Sequence, residues 1–163
     1  MSRPLEHAAQ LFEYQLGSAL KIETDAASLF EQFADLAQDA ELEALFGELG
    51  KVAEEQIDGV EEAFGALGVN PSVGTAVTQG IVDEVATLIE RTSGPIIDAV
   101  ILSAALSTMR LATAAYDSLI IAAKGLGATV VETLVEANLE RSRNSARRLE
   151  DAARGFGPYV ATV

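Results

Sequence analysis

The chain has no cysteine, no tryptophan and a single histidine, His7. Without cysteine it has no disulfides, thiolate metal sites, iron–sulfur clusters or cysteine nucleophiles, whatever its compartment. One histidine cannot build an imidazole-rich metal site within a chain, and near the amino terminus it reads as a solvated residue rather than a ligand or base. Basic residues are scarce as well: 11 Lys and Arg stand against 25 Asp and Glu, a formal net charge of −14. That charge repels phosphate backbones and disfavours nucleic acid as a partner. The imbalance is concentrated early, with 15 acidic and 3 basic side chains in residues 1–70 and 10 and 8 in residues 71–163. The basic run RSRNSARRLE, with Arg141, Arg143, Arg147 and Arg148, reads as a helix carboxyl end balanced against its dipole and against acidic neighbours. No apolar run follows a basic start, so no secretory leader is expected. The most apolar stretch, PIIDAVILSAALSTM, contains Asp98 and runs into Arg110, which reads as too short and too polar to cross a bilayer. A soluble cytoplasmic protein without a membrane partner is the expectation.

What the chain does have is apolar periodicity over enough length for one core: 163 residues, 49% hydrophobic. A single domain is expected over 1–163, with its core at about 5–154 and a tail at 155–163 that leaves the last helix at a Gly-x-Gly-Pro break. Leu16, Leu20, Glu23, Ala27 and Phe30 recur at steps of three and four, which predicts a first helix over 5–37. Asp39 is a good cap for a second helix over 40–67, whose inner stripe reads Phe46, Leu49, Ala53, Ile57, Val60 and Phe64. A short helix is predicted over 75–90, then a long one over 95–123 with Ser93 as its cap, and a last one over 128–154. Val, Ile and Thr are frequent in the second half, but they fall at helical spacing and no strand is needed.

Short links make the first two long helices antiparallel neighbours, and likewise the last two. The connection between the pairs is long enough to run the length of a bundle. The expected fold is therefore all-α: an antiparallel four-helix bundle of ferritin-like arrangement, with a long crossover carrying a short extra helix.

LFEYQLGSALKIE, DAELEALFGELGKVAEEQIDGVEEAFGALGVNP, GIVDEVATLIE and DAVILSAALSTMRLATAAY carry a resemblance over most of the chain. In these segments the protein resembles the bacterial stress-associated, rubrerythrin-like proteins of the YciE/YciF type, a ferritin-like family of unknown function. The resemblance implies a place for two metal ions inside the bundle, held by carboxylates from all four long helices. Aligned with that pattern, Glu23 and Glu54 are the residual ligands, while Ile57, Met109, Arg110, Ala112, Ser142 and Ala146 stand where ligands are lost. Two carboxylates without an imidazole do not compete with water for two divalent ions, and a nearby arginine opposes metal charge further. Glu23 in an apolar stripe must then be protonated or have found a cation, such as Arg110 or an arginine of the last helix. Glu54 lies on the flank of its stripe and also reads as an ordinary exposed residue.

Other patterns carry less. GALGVNPSVG is neither preceded by a strand nor followed by Gly-Lys-Ser/Thr, so it does not read as a phosphate loop. Tyr116 reads as a core tyrosine with a bonded hydroxyl.

The expectation is a non-catalytic bundle with a degenerate metal site and no cofactor, acting as a homodimer. Val77, Ile81, Val85, Ile89, Ile96, Ile97 and Val100 are the residues expected near a dimer contact or the bundle's own closing edge. One alternative keeps iron or manganese at Glu23 and Glu54, with Glu84 or Asp117. Another places a small molecule or lipid in the core, against Met109, Ala112 and Ser142.

Overall fold

The computed structural model describes residues 5–74 and 77–156. Among these, five helices and no strand occur: α1 (Ala8–Leu36), α2 (Ala40–Leu67), α3 (Gln79–Glu90), α4 (Ile96–Leu126) and α5 (Thr129–Gly155). Their ends follow from local chemistry. The Gln10 side-chain oxygen accepts from Glu6 N at 2.8 Å and His7 N at 3.2 Å, closing the start of α1. Asp39 accepts from Glu41 N and Leu42 N at 2.8 and 3.1 Å, the cap its sequence position predicts for α2. Gly68 and Gly127 end α2 and α4 at φ 71° and 66°, a left-handed conformation that costs glycine least.

The structure moves some boundaries. The short helix begins at Gln79 rather than 75, and Thr75 and Ala76 lie outside the described residues, as does 157–163 of the expected tail. Ser93 does not cap α4: Gly94 turns the chain at φ 64° and Pro95 stands in the cap position, so Ser93 is two residues too early.

α1 packs on α2 and α4, and α5 packs on α2 and α4, so the four long helices form a closed ring with α3 outside against α4. Asp98, in the first turn of α4, accepts from Gln38 N and Asp39 N, which places the start of α4 beside the start of α2. Every adjacent pair in the ring is therefore antiparallel, and the crossover must travel the length of the bundle. It does so along α1. Gly74 N donates to Gly17 O at 2.8 Å, and further on the Thr78 hydroxyl donates to Asp25. Gly17 permits this approach, since a Cβ there would lie 2.6 Å from the carbonyl oxygen of Ser72.

The core is continuous, from the Phe30, Phe33 and Phe46 cluster at one end to Leu119, Ala123 and Val131 at the other. α4 supplies much of it. The 95–109 stretch underestimates this helix, because at 31 residues it is long and apolar enough to span a bilayer by length and composition. Within the bundle its apolar residues have another use, as 44% of its most apolar stretch is buried.

Candidate functional site

Heptad-like spacing decides which polar side chains enter the core. α2 buries Leu42, Phe46, Leu49, Ala53, Gln56, Val60 and Ala63, alternating steps of four and three. α5 buries Val131, Val135, Asn138, Ser142, Ser145 and Leu149 in the same rhythm. α1 brings in Glu23 between Leu20 and Ala26, and α4 brings in Tyr116 between Ala112 and Leu119. The four phases meet in one layer. Glu23, Gln56, Tyr116, Asn138 and Ser142 are each no more than 1% exposed.

Gln56 ties the layer together. Its side-chain nitrogen donates to Glu23 Oε1 at 3.2 Å, to the carbonyl oxygen of Asn138 at 3.1 Å and to Ser142 Oγ at 2.7 Å. Asn138 returns the contact, its Nδ2 donating to the carbonyl oxygen of Gln56 at 2.9 Å and to the Tyr116 hydroxyl at 3.2 Å. Gly59 leaves room for this side chain, because a Cβ there would meet Asn138 Oδ1 at 2.9 Å. On the outer side Arg141 donates to Asn138 Oδ1 at 3.2 Å and pairs with Glu55 at 3.6 Å.

Glu23 carries the unusual chemistry of the layer. Among the described residues no cationic side chain pairs with it, and its Oε2 completes no hydrogen bond. Burial pushes its carboxyl up to about 7, against the lowering influence of the Tyr116 hydroxyl. Burial also raises Tyr116 well above the ordinary tyrosine value, with the charge and hydrogen bonding of Glu23 adding to the rise and the bonds to Asn138 and Gln56 opposing it. Glu23 thus keeps its proton well above the ordinary carboxylate range, which answers the choice between protonation and a cation partner.

The remaining sequence candidates fall elsewhere. Glu54 is exposed and lines a surface groove with Ser28, Glu31 and Lys51, so it does not share a site with Glu23. Ile57 is half-buried at the margin of the core. The α2 phase explains both, since it turns position 56 inward and positions 54 and 55 outward. Arg110 is also corrected: its side chain is 71% exposed and reaches Glu150 at 4.0 Å, on an outer face of α4. Arg141 is the arginine of the last helix that approaches the layer, and it stops at Asn138. Met109 and Ala112 are buried in the apolar core beside the layer, Ser142 belongs to the layer, and Ala146 is half-buried near Arg143 and Arg147. Asp117 pairs with Arg143 at 3.1 Å, and Glu84 is exposed on α3. Gln56 and Asn138 were missed because neutral amides are not ligand types. The signal for Gln56 was the gap between Ala53 and Val60, filled equally well in the sequence by Ile57.

Two divalent ions do not fit this donor set. Among the described residues no group of three or more His, Asp or Glu side chains converges. The layer offers one carboxyl, two neutral amides and two hydroxyls, too little negative charge for a pair of ions that bridging carboxylates would otherwise neutralise.

The fold and its polar centre define a class: an all-α bundle with a long crossover and a centre poor in ligands. Residues 7–157 match the family described as a domain of unknown function, DUF892, and the chain belongs to that family. Among solved structures it is similar to YcfI from Rhodopseudomonas palustris, described as a candidate structural protein, with 20% identity, 92% of this chain and 97% of that chain covered and a TM-score of 0.87. It is similar to the stress protein YciF of E. coli at 18% identity, with 93% and 98% covered and a TM-score of 0.87. A protein from Xanthomonas campestris pv. campestris matches at 20% identity, with 92% and 96% covered and a TM-score of 0.73. At these identities the likeness is one of fold. No curated protein matches the chain.

Proposed function

We propose that the protein is a non-catalytic helical scaffold, cytoplasmic, without a resident cofactor, that acts as a homodimer in a stress-associated setting. The observation that supports this is the makeup of the central layer, where a neutral amide network holds the one carboxyl in place of a set of ligands. The E. coli neighbour's description as a stress protein supplies the setting. Metal analysis of protein purified without chelator tests the first half. The expected outcome is iron and manganese far below one ion per chain; stoichiometric metal that disappears in Glu23→Ala would favour metal binding instead. Native mass spectrometry of the same sample reads the core-ligand alternative as an added mass.

Two chains of net charge −14 pack closely only where neither presents much charge. The α3–α4 face suits that requirement. Its groove, of about 470 Å³, is lined by Ile81, Val85 and Leu88 of α3 and by Val100, Ser103 and Ser107 of α4, with Glu84 as its acidic side chain. Of the residues expected near such a contact, Val77 and Ile96 are exposed, Ile81, Ile89 and Val100 are half-buried, and Val85 and Ile97 are buried in the chain's own core. Sedimentation of the wild type is expected to give a dimer, and Val100→Glu a monomer, because a carboxylate buried at a pairing face lacks a counter-charge. A wild type that stays monomeric at micromolar concentration would rule out this half of the reading.

A further inference from the structure

The Gln56 nitrogen has two hydrogens and three oxygen acceptors, at 2.7, 3.1 and 3.2 Å. It is over-subscribed. Beside it Glu23 Oε2 is fully buried and, among the described residues, completes no hydrogen bond, the Tyr116 hydroxyl being the one donor group whose influence reaches the carboxyl. Two more oxygens, the Tyr116 hydroxyl and the carbonyl of Gln56, take hydrogens from Asn138 at the edge of the same layer. Oxygen acceptors thus crowd one small volume between the four long helices, and among the described residues no cationic side chain enters it.

We propose that the Gln56 amide nitrogen occupies the cation position of an oxygen cradle, so that the chain closes with its own side chain a site that would otherwise take a single divalent ion. An amide nitrogen carries partial positive charge and directs its hydrogens at oxygens, as an ion directs its field. It is tethered, so it pays no entropy of capture from solution, and it brings too little charge to draw in further carboxylates. The inference rests on the non-catalytic reading above and adds what keeps the centre metal-free. It also names the one position at which the closure is reversed. Gln56→Glu is nearly isosteric and exchanges the donor for an anionic oxygen facing Glu23 Oε1. Two like charges in a dry layer do not both ionise without a counter-ion. A divalent ion supplies one, with the Ser142 and Tyr116 hydroxyls and the Asn138 carbonyl as neutral hard donors suited to Mn²⁺.

Thermal melts with and without MnCl₂ at about pH 8, followed by metal analysis of the desalted protein, test this. The wild type is expected to show no shift. Gln56→Glu is expected to melt lower than wild type in chelator and to gain a saturable upward shift with Mn²⁺, retaining one ion per chain, and the double variant Gln56→Glu/Glu23→Gln to lose that gain. A folded Gln56→Glu protein indifferent to Mn²⁺ overturns the proposal. If that variant folds only with metal, recovery of helical circular dichroism on adding Mn²⁺ reads the same gain. If it folds under neither condition, Mn²⁺ does not take the place of the nitrogen and the proposal is overturned. The two readings fail separately. A metal-free wild type with an unresponsive Gln56→Glu defeats this inference alone, whereas wild-type metal that survives Glu23→Gln defeats only the metal-free scaffold.

Discussion

Glu23→Gln is expected to stabilise the protein by about 3 kcal/mol at about pH 8 and to leave it nearly unchanged at about pH 4. Glu23 titrates near 7 in the folded chain against 4.5 for an ordinary glutamate, because its carboxyl is buried without a cation. Below about pH 4.5 the proton is bound in both states and Glu23 contributes no pH dependence. Between that pH and about 7 the unfolded chain has released the proton while the folded chain retains it, so stability falls with each step in pH and levels off once both are ionised. Glutamine has nearly the same shape, keeps an acceptor oxygen for the Gln56 amide and has no proton to lose. Contributions common to both proteins cancel in the difference between variant and wild type in urea unfolding free energy, which is the quantity to measure. Parallel profiles from about pH 4 to about pH 8 would show that Glu23 is not held neutral by its surroundings.

This effect was partly legible in the sequence. Glu23 stands between Leu20 and Ala27 in a stripe with no other charge, and a carboxyl at such a phase has to be neutralised somehow. The partner was not legible. Arg110 is next to Met109 in sequence, yet one residue is 100° around a helix, and that rotation takes it from the core to an outer face where Glu150 meets it. Glu54 and Gln56 show the same limit in the other direction. A two-residue step is nearly half a turn, so a resemblance that aligns on carboxylates selects the exposed Glu54 while the buried position holds a neutral amide. The helices themselves were more readable, because each long one repeats its apolar phase over several turns and a single misread position leaves the stripe intact. The ring order and the course of the crossover depend on contacts between segments far apart in sequence, such as Gly17 with Ser72 and Gly74, where the signal is two glycines among 13.

Asp98→Ala is expected to cost about 3 kcal/mol, the second large effect, and for a reason that belongs to the topology. Asp98 is 2% exposed, and its two carboxylate oxygens accept from Gln38 N at 2.8 Å and Asp39 N at 3.1 Å. Those amides lie in the link between α1 and α2, outside both helices, so no helical carbonyl is available to them. The carboxylate also sits in the first turn of α4, where the helix dipole favours an anion. One side chain therefore joins three helices at the end of the bundle where the crossover delivers α4. Each charge-assisted bond contributes about 1.5 to 3 kcal/mol, and water reaching the exposed Gln38 and Asp39 recovers part of the loss in the variant. Asp98→Asn keeps a single acceptor and should lose about half as much, which separates the bonding from mere packing volume. Urea unfolding of both variants measures the pair, with an unchanged denaturant slope as the sign that the rest of the fold is intact. Losses below about 1 kcal/mol for Asp98→Ala would mean that the crossover and the hydrophobic ring alone hold α4 in register, and that the joint is an ornament of the fold.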